Sequence, residues 1–191
     1  MKRKMAYNAH SSTILTAISK GTAVRVSVLA AIIAIASGCV TSPQDQEAKY
    51  LKRGEERMLT KDYSRALLEF KNASQAMPKD PEPIYQSGVV YLEAQQIPSA
   101  VAAFRKALEL NPKHSGAQLK LSELMTASRV KELIQDAATR LQGILAVSPD
   151  NPEAIDTLAS AEFQLGNTEG AASRLEAALQ KFPNHLQSSV H

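Results

Sequence analysis

From Glu47 to His185 apolar residues return at spacings of three and four, as in Ala66, Phe70 and Ala73 or Ala100, Phe104 and Ala107. That spacing sets them along one stripe of an α-helix. Short polar breaks interrupt the stripes, and several carry proline: Pro78, Pro81, Pro112, Pro149, Pro152 and Pro183. Proline cannot continue a helix from within but fits its first turn. Pro81 and Pro152 therefore open helices, with Asp80 and Asn151 before them as N-caps, while Pro98 opens a helix of its own. The pattern predicts about eight amphipathic helices and an all-α fold.

The stripes repeat. Four segments align in phase: 47–80, 81–114, 115–151 and 152–185, of which the third is three residues longer than the others. In the first helix of each, one small position holds Gly54, Gly88, Ser122 and Ala159. In the second helix a small position holds Ala66, Ala100, Ala137 and Ala171. Four residues on come Phe70, Phe104, Leu141 and Leu175, and three further Ala73, Ala107, Ile144 and Ala178. Small residues let paired helices approach closely, and the large residue fills the space between them. The extra residues of the third segment fall around Ser128-Arg129-Val130, lengthening either a turn or the helix that begins there.

These residues resemble the tetratricopeptide (TPR) repeat. The resemblance implies a superhelical solenoid of about four helix-turn-helix repeats in which each repeat covers its neighbour's apolar face. The Phe and Leu stripe is then core rather than a cofactor box. Residues 186–191 look like the start of a further helix, so a longer array is expected.

The first 38 residues follow a different pattern. They carry Lys2, Arg3, Lys4, Lys20 and Arg25 with no acidic residue, then an apolar run from Val26 to Ala36, interrupted only by Ser27, and the small pair Ser37-Gly38. A basic start, a short apolar run and small residues make a secretory signal, the run being too short to cross a bilayer comfortably. The leader also accounts for the basic balance. With 22 Lys+Arg against 19 Asp+Glu overall, the rest of the chain carries about −2, which removes the case for nucleic-acid binding.

Cys39, the one cysteine of the chain, follows Gly38 directly. It has no partner for an intramolecular disulfide. Its setting resembles the lipobox of bacterial lipoproteins, although Ala36 stands where that family usually has leucine. The resemblance implies cleavage before Cys39 and acylation of it, because several acyl chains hold a membrane where one does so only marginally. Val40 is not the aspartate that favours inner-membrane retention in such proteins, which points to the outer membrane. Residues 39–46 then read as a short tether.

Catalytic signatures are missing from the sequence. His10, His114, His185 and His191 are scattered, with no i, i+4 pair of a zinc protease. The eight glycines never form a phosphate loop, and no serine has a marked base. The expectation is a protein that is no enzyme and needs no metal or cofactor.

What the resemblance does imply is a binding groove. In TPR proteins first-helix positions 2, 5, 9, 12 and 13 point into it. By register these are Leu51, Glu55 and Met58; Glu82, Tyr85, Val89 and Leu92; Leu119 and Glu123; and Glu153, Asp156 and Phe163. Chaperone-binding TPR proteins grip a terminal carboxylate with Lys and Asn at such positions. This sequence has Leu51, Glu55, Tyr85 and Val89 there, so that activity does not transfer. The mixture of apolar residues and carboxylates suits a protein segment with apolar anchors flanked by Lys or Arg. The competing reading is that these side chains pack between repeats.

The stretch YLKRGEERMLTKDYSRALLEFKNASQAMPKD, together with the lipobox, is similar to the TPR lipoproteins of exopolysaccharide export and exosortase (PEP-CTERM) sorting. That likeness implies a lipid-anchored scaffold for cell-envelope assembly, on the periplasmic face of the outer membrane. The alternatives are a lipoprotein of type IV pilus and secretin biogenesis, or the non-catalytic repeats of a longer envelope peptidase.

Overall fold

The computed structural model describes residues 42–181. The leader, Cys39, Pro183 and residues 186–191 lie outside them. Eight helices follow one another: α1 (Pro43–Leu59), α2 (Tyr63–Ala76), α3 (Glu82–Glu93), α4 (Ile97–Leu110), α5 (Ser115–Ala127), α6 (Lys131–Val147), α7 (Pro152–Gln164) and α8 (Thr168–Lys181). No strand occurs among the described residues. The helices pack as the pairs α1/α2, α3/α4, α5/α6 and α7/α8, and each pair leans on the next. The chain is an all-α TPR solenoid.

One sequence expectation changes in detail, and one open alternative is resolved. Helix α1 begins at Pro43, so Pro43–Gln46, read as tether, form its first turn. Proline suits that place because its missing N–H would have had no intrahelical partner. The three additional residues of the third repeat lie within a helix and leave the turn unchanged. Helix α6 has 17 residues where α2, α4 and α8 have 14.

Caps fix where the helices start. Asn151 Oδ1 accepts from the Ala154 N–H at 2.9 Å, Asp62 from the Arg65 N–H at 3.3 Å and Asn167 from the Gly170 N–H at 3.1 Å. Asp80 Oδ1 accepts from the Glu82 N–H at 2.8 Å. Each turn inside a repeat passes through one left-handed residue at the same register, namely Lys61 (φ 56), Gln95 (φ 58), Arg129 (φ 60) and Gly166 (φ 92). Only the last is the residue type for which that conformation is free of strain.

The predicted stripe is the core. Ala66, Phe70, Ala73, Ala100, Phe104, Ala107, Ala137 and Leu141 are fully buried, with Ile144, Ala171 and Ala178 nearly so. Leu175 is only half-buried. The buried clusters run across repeat boundaries: Ala66 and Phe70 of α2 meet Val90 of α3, and Phe104 of α4 meets Leu121 and Met125 of α5. Ile134 and Leu141 of α6 likewise meet Ala154 and Leu158 of α7. No repeat closes its core alone. In the fourth repeat a polar tie supplements it, with the Arg174 guanidinium donating to both Glu162 oxygens at 3.0 and 2.8 Å.

The closest helix approaches depend on two missing methyl groups. A Cβ at Gly54 would lie 2.3 Å from the Phe70 ring, and one at Gly88 would lie 2.5 Å from the Phe104 ring. In the third and fourth repeats the same positions hold Ser122 with Leu141 and Ala159 with Leu175. The small residue grows where the large one shrinks.

Glu47 of α1 is 7 % exposed, and its Oε1 has no hydrogen-bond partner. Burial, then the charges of Asp80 and Glu82, push its carboxyl above the usual glutamate range. The unfolded chain therefore gives up this proton at a lower pH than the folded one, and the ionised form weakens the fold.

Two outcomes follow for thermal unfolding. Gly88→Ala is expected to lose about 1–2 kcal/mol, overpacking outweighing a helix-propensity gain of about 1 kcal/mol. With Phe104→Leu already in place, the same change is expected to be neutral or stabilising. Gly143→Ala, whose Cβ would meet nothing within 4 Å, serves as the stabilising control. A Gly88→Ala cost that is unchanged in the leucine background sinks the interpretation. Separately, Glu47→Gln is expected to raise the melting temperature by a few degrees at pH 7, the gain fading as pH falls through the raised carboxyl range and disappearing below the ordinary glutamate range.

Candidate functional site

The groove positions lie on the first helices α1, α3, α5 and α7. The structure separates them into packing residues and exposed ones. Leu51 and Met58 are half-buried against the Ala66–Phe70–Val90 cluster. Tyr85, Val89 and Leu92 are half-buried against the Ala100–Phe104 cluster, and Leu119 against the α6–α7 cluster. These six side chains spend much of their surface on inter-repeat packing.

Tyr85 illustrates this. Its ring lies over Gly116, where an added Cβ would come within 2.9 Å of Cζ. It stands 5.8 Å from the Phe104 ring and 4.8 Å from the His114 ring, centre to centre. Burial holds the phenol above its usual range against the opposing pull of Lys120, with Glu82 and Glu123 adding to the rise. His114 Nδ1 accepts the Ala117 N–H at 3.1 Å, which caps α5. The ring proton then belongs on Nε2, which donates to Glu82 Oε2 at 3.2 Å. Glu82 Oε1 also accepts from Gln86 Nε2 at 2.6 Å. Glu82 is thus a structural link between the second and third repeats.

The remaining positions are more open. Glu55 is exposed on α1, apart from the others. Glu123 of α5 receives Lys120 Nζ on both oxygens at 3.0 and 2.9 Å. Helices α5 and α7 touch, and between them lies an open pocket of about 300 Å3. Glu123 and Asp156 both line it, with Thr126, Ala127, Thr157, Ser160 and Gln164. Phe163, next in sequence to Gln164, is 64 % exposed. The structure therefore brings Glu123 and Asp156 together at one pocket, while Phe163 is exposed on α7 and is not among the residues that line it.

Thr126, Ser160 and Gln164 are the residues that sequence reading passed over. They occupy first-helix positions 12, 9 and 13, the same register that selected the others. Being uncharged and small or polar, they carried no signal of their own. Among the described residues no group of three or more His, Cys, Asp or Glu side chains is placed to hold a metal ion. None of the described helices is long and apolar enough to cross a membrane. The arrangement offers carboxylates, hydroxyls and exposed apolar surface, the groups from which interaction surfaces are built.

The family model described as the cytochrome c-type biogenesis protein H TPR domain matches residues 41–188. A peroxisomal targeting signal receptor of Debaryomyces hansenii is 33 % identical over 109 residues, 56 % of this chain and 17 % of that protein. The chain thus spans about a sixth of the length of that curated relative. Among solved structures, MamA (residues 41 to the end) from Desulfovibrio magneticus superposes with a TM-score of 0.65 at 22 % identity, covering 75 % of this chain and 79 % of that one. YrrB, described as a TPR protein with an unusual peptide-binding site, gives a TM-score of 0.59 at 19 % identity, covering 73 % and 71 %. These structural likenesses show a shared TPR fold. With four in-phase repeats and a family match over most of its length, the chain belongs to the TPR proteins, in the family of cytochrome c-type biogenesis protein H TPR domains.

Proposed function

We propose that this protein is a membrane-anchored scaffold of the cell envelope whose first-helix face holds an extended segment of another protein. The observation that carries the reading is the acid-lined α5–α7 pocket, together with Phe163, a large ring left 64 % exposed on the same helix α7. A solvated aromatic on a helix that also carries pocket-lining carboxylate and hydroxyl groups is the composition of a binding surface rather than of a helix face kept soluble. Leu59 of α1, 87 % exposed at position 13, extends apolar surface along the same first-helix register. The segment that fits has apolar anchors flanked by basic residues. Two of the similar proteins are described by signal or peptide recognition, which supports a polypeptide as the ligand.

The anchor is Cys39. The basic leader, the apolar run, the small pair and the thiol stand in the order that export and acylation require, and they favour the periplasmic face of the outer membrane. The process we assign is assembly of envelope proteins, in exopolysaccharide export or exosortase-dependent sorting, where the repeat phrasing and lipobox point. The family's description likewise concerns biogenesis.

Two measurements test these halves. Cys39→Ser is expected to abolish incorporation of labelled palmitate and release the exported protein from the membrane fraction. Retention of both label and membrane partition overturns the anchor. Phe163→Ser is expected to reduce co-purification of envelope proteins, after cross-linking and detergent extraction, by several-fold with the melting temperature unchanged. Undiminished recovery overturns the groove.

A further inference from the structure

We propose that the α5–α7 pocket reads a single lysine of the bound segment, an inference that rests on the segment lying along the first-helix face. Glu123 stands on the α5 wall and Asp156 on the α7 wall, two carboxylates facing one small space. Lys120 already engages Glu123 from its own helix, and that pairing fixes the carboxylate in place. A carboxylate has about four lone-pair sites, so it accepts a second donor without releasing the first. Ala127 supplies a methyl group against which an alkyl stem lies.

Thr126 is the independent sign that the pocket is built for a ligand. It is 4 % exposed, lines the pocket, and its Oγ1 has no hydrogen-bond partner. Other helical hydroxyls here are satisfied by the carbonyl four residues back: Ser122 by Gln118 at 2.8 Å, Thr139 by Gln135 at 3.1 Å and Thr157 by Glu153 at 2.7 Å. A buried hydroxyl left unbonded is costly, and valine would fill the same space without that cost. Threonine in a helix has two χ1 wells, and a donor entering the pocket is met by the one that turns Oγ1 toward it.

The acceptor set favours one cation. Glu123, Asp156 and Thr126 offer three acceptors around one space, and an ammonium has three donors on a compact head. A guanidinium brings five donors in a planar fork and would leave some unpaired, while an acetylated lysine loses the charge that two carboxylates select. Phe163 then takes the apolar residue that neighbours the lysine.

The test pans the full chain, held in detergent micelles, against a displayed library of random octapeptides. Enriched sequences are expected to carry lysine at one position near an aromatic or aliphatic residue, at least tenfold over input. Acetylating that lysine in a synthetic copy is expected to weaken binding about tenfold by fluorescence anisotropy. Thr126→Val and the pair Glu123→Gln with Asp156→Asn are expected to erase the lysine preference while the apolar preference persists; Thr126→Val melts no lower than the parent. Enrichment of apolar sequences without lysine, equal enrichment of arginine, or a lysine preference unmoved in the variants overturns the lysine site and leaves the groove standing. No enrichment above background overturns the groove with it.

Discussion

The stack depends on how closely two helices can approach when one of them omits its side chain. At Gly54 and Gly88 the space of a methyl group is taken by the edge of a phenylalanine ring sixteen residues along the chain, on the partner helix, and both rings are wholly buried. The ring thereby touches the partner helix's backbone and, through Val90 or Leu121, the next repeat. Intra-repeat pairing and inter-repeat stacking are thus fixed by the same side chain. A repeat array has no central core to fall back on, so its stability rests on such shared contacts.

That economy has an effect on the first-helix face. In α1 and α3 the groove positions are filled by Leu51, Met58, Tyr85, Val89 and Leu92, which lean back into the clusters behind them. In α5 and α7 the corresponding surface carries Glu123, Thr126, Asp156, Ser160 and Gln164 around an open pocket. The face changes character along the array, from apolar and load-sharing to polar and accessible. On the proposed reading of this face, an apolar stretch of the bound segment suits one end and a cationic one the other.

The fold was legible in the sequence because repetition multiplies a weak signal. One small residue four places from a large one means little, while four copies in phase, each closed by proline, leave few alternatives. Boundaries were less legible. Ser42-Pro43 reads as a break in the chain, yet Pro43 begins α1, since proline marks a helix start as readily as a stop. The destination of the three additional residues in the third repeat was open because Ser128-Arg129-Val130 suits a turn or a helix start equally. Register selected Tyr85 and Val89 as groove positions but could not weigh how much of each side chain packing would consume. It also undervalued Thr126, whose interest lies in a missing hydrogen bond, and a missing bond leaves no trace in a residue's name.

The matched sizes of the helix-pair contacts bear on how a chain of look-alike units finds its own pairing. A helix carrying Phe70 or Phe104 that docked on the helix of Ser122 or Ala159 would drive its ring into atoms that Gly54 and Gly88 lack. A leucine-bearing helix laid on a glycine helix would leave a void. Pairings across these two classes therefore collide or gape. Side-chain volume works here as an address label, telling the two glycine–phenylalanine hairpins from the two that set leucine against serine or alanine.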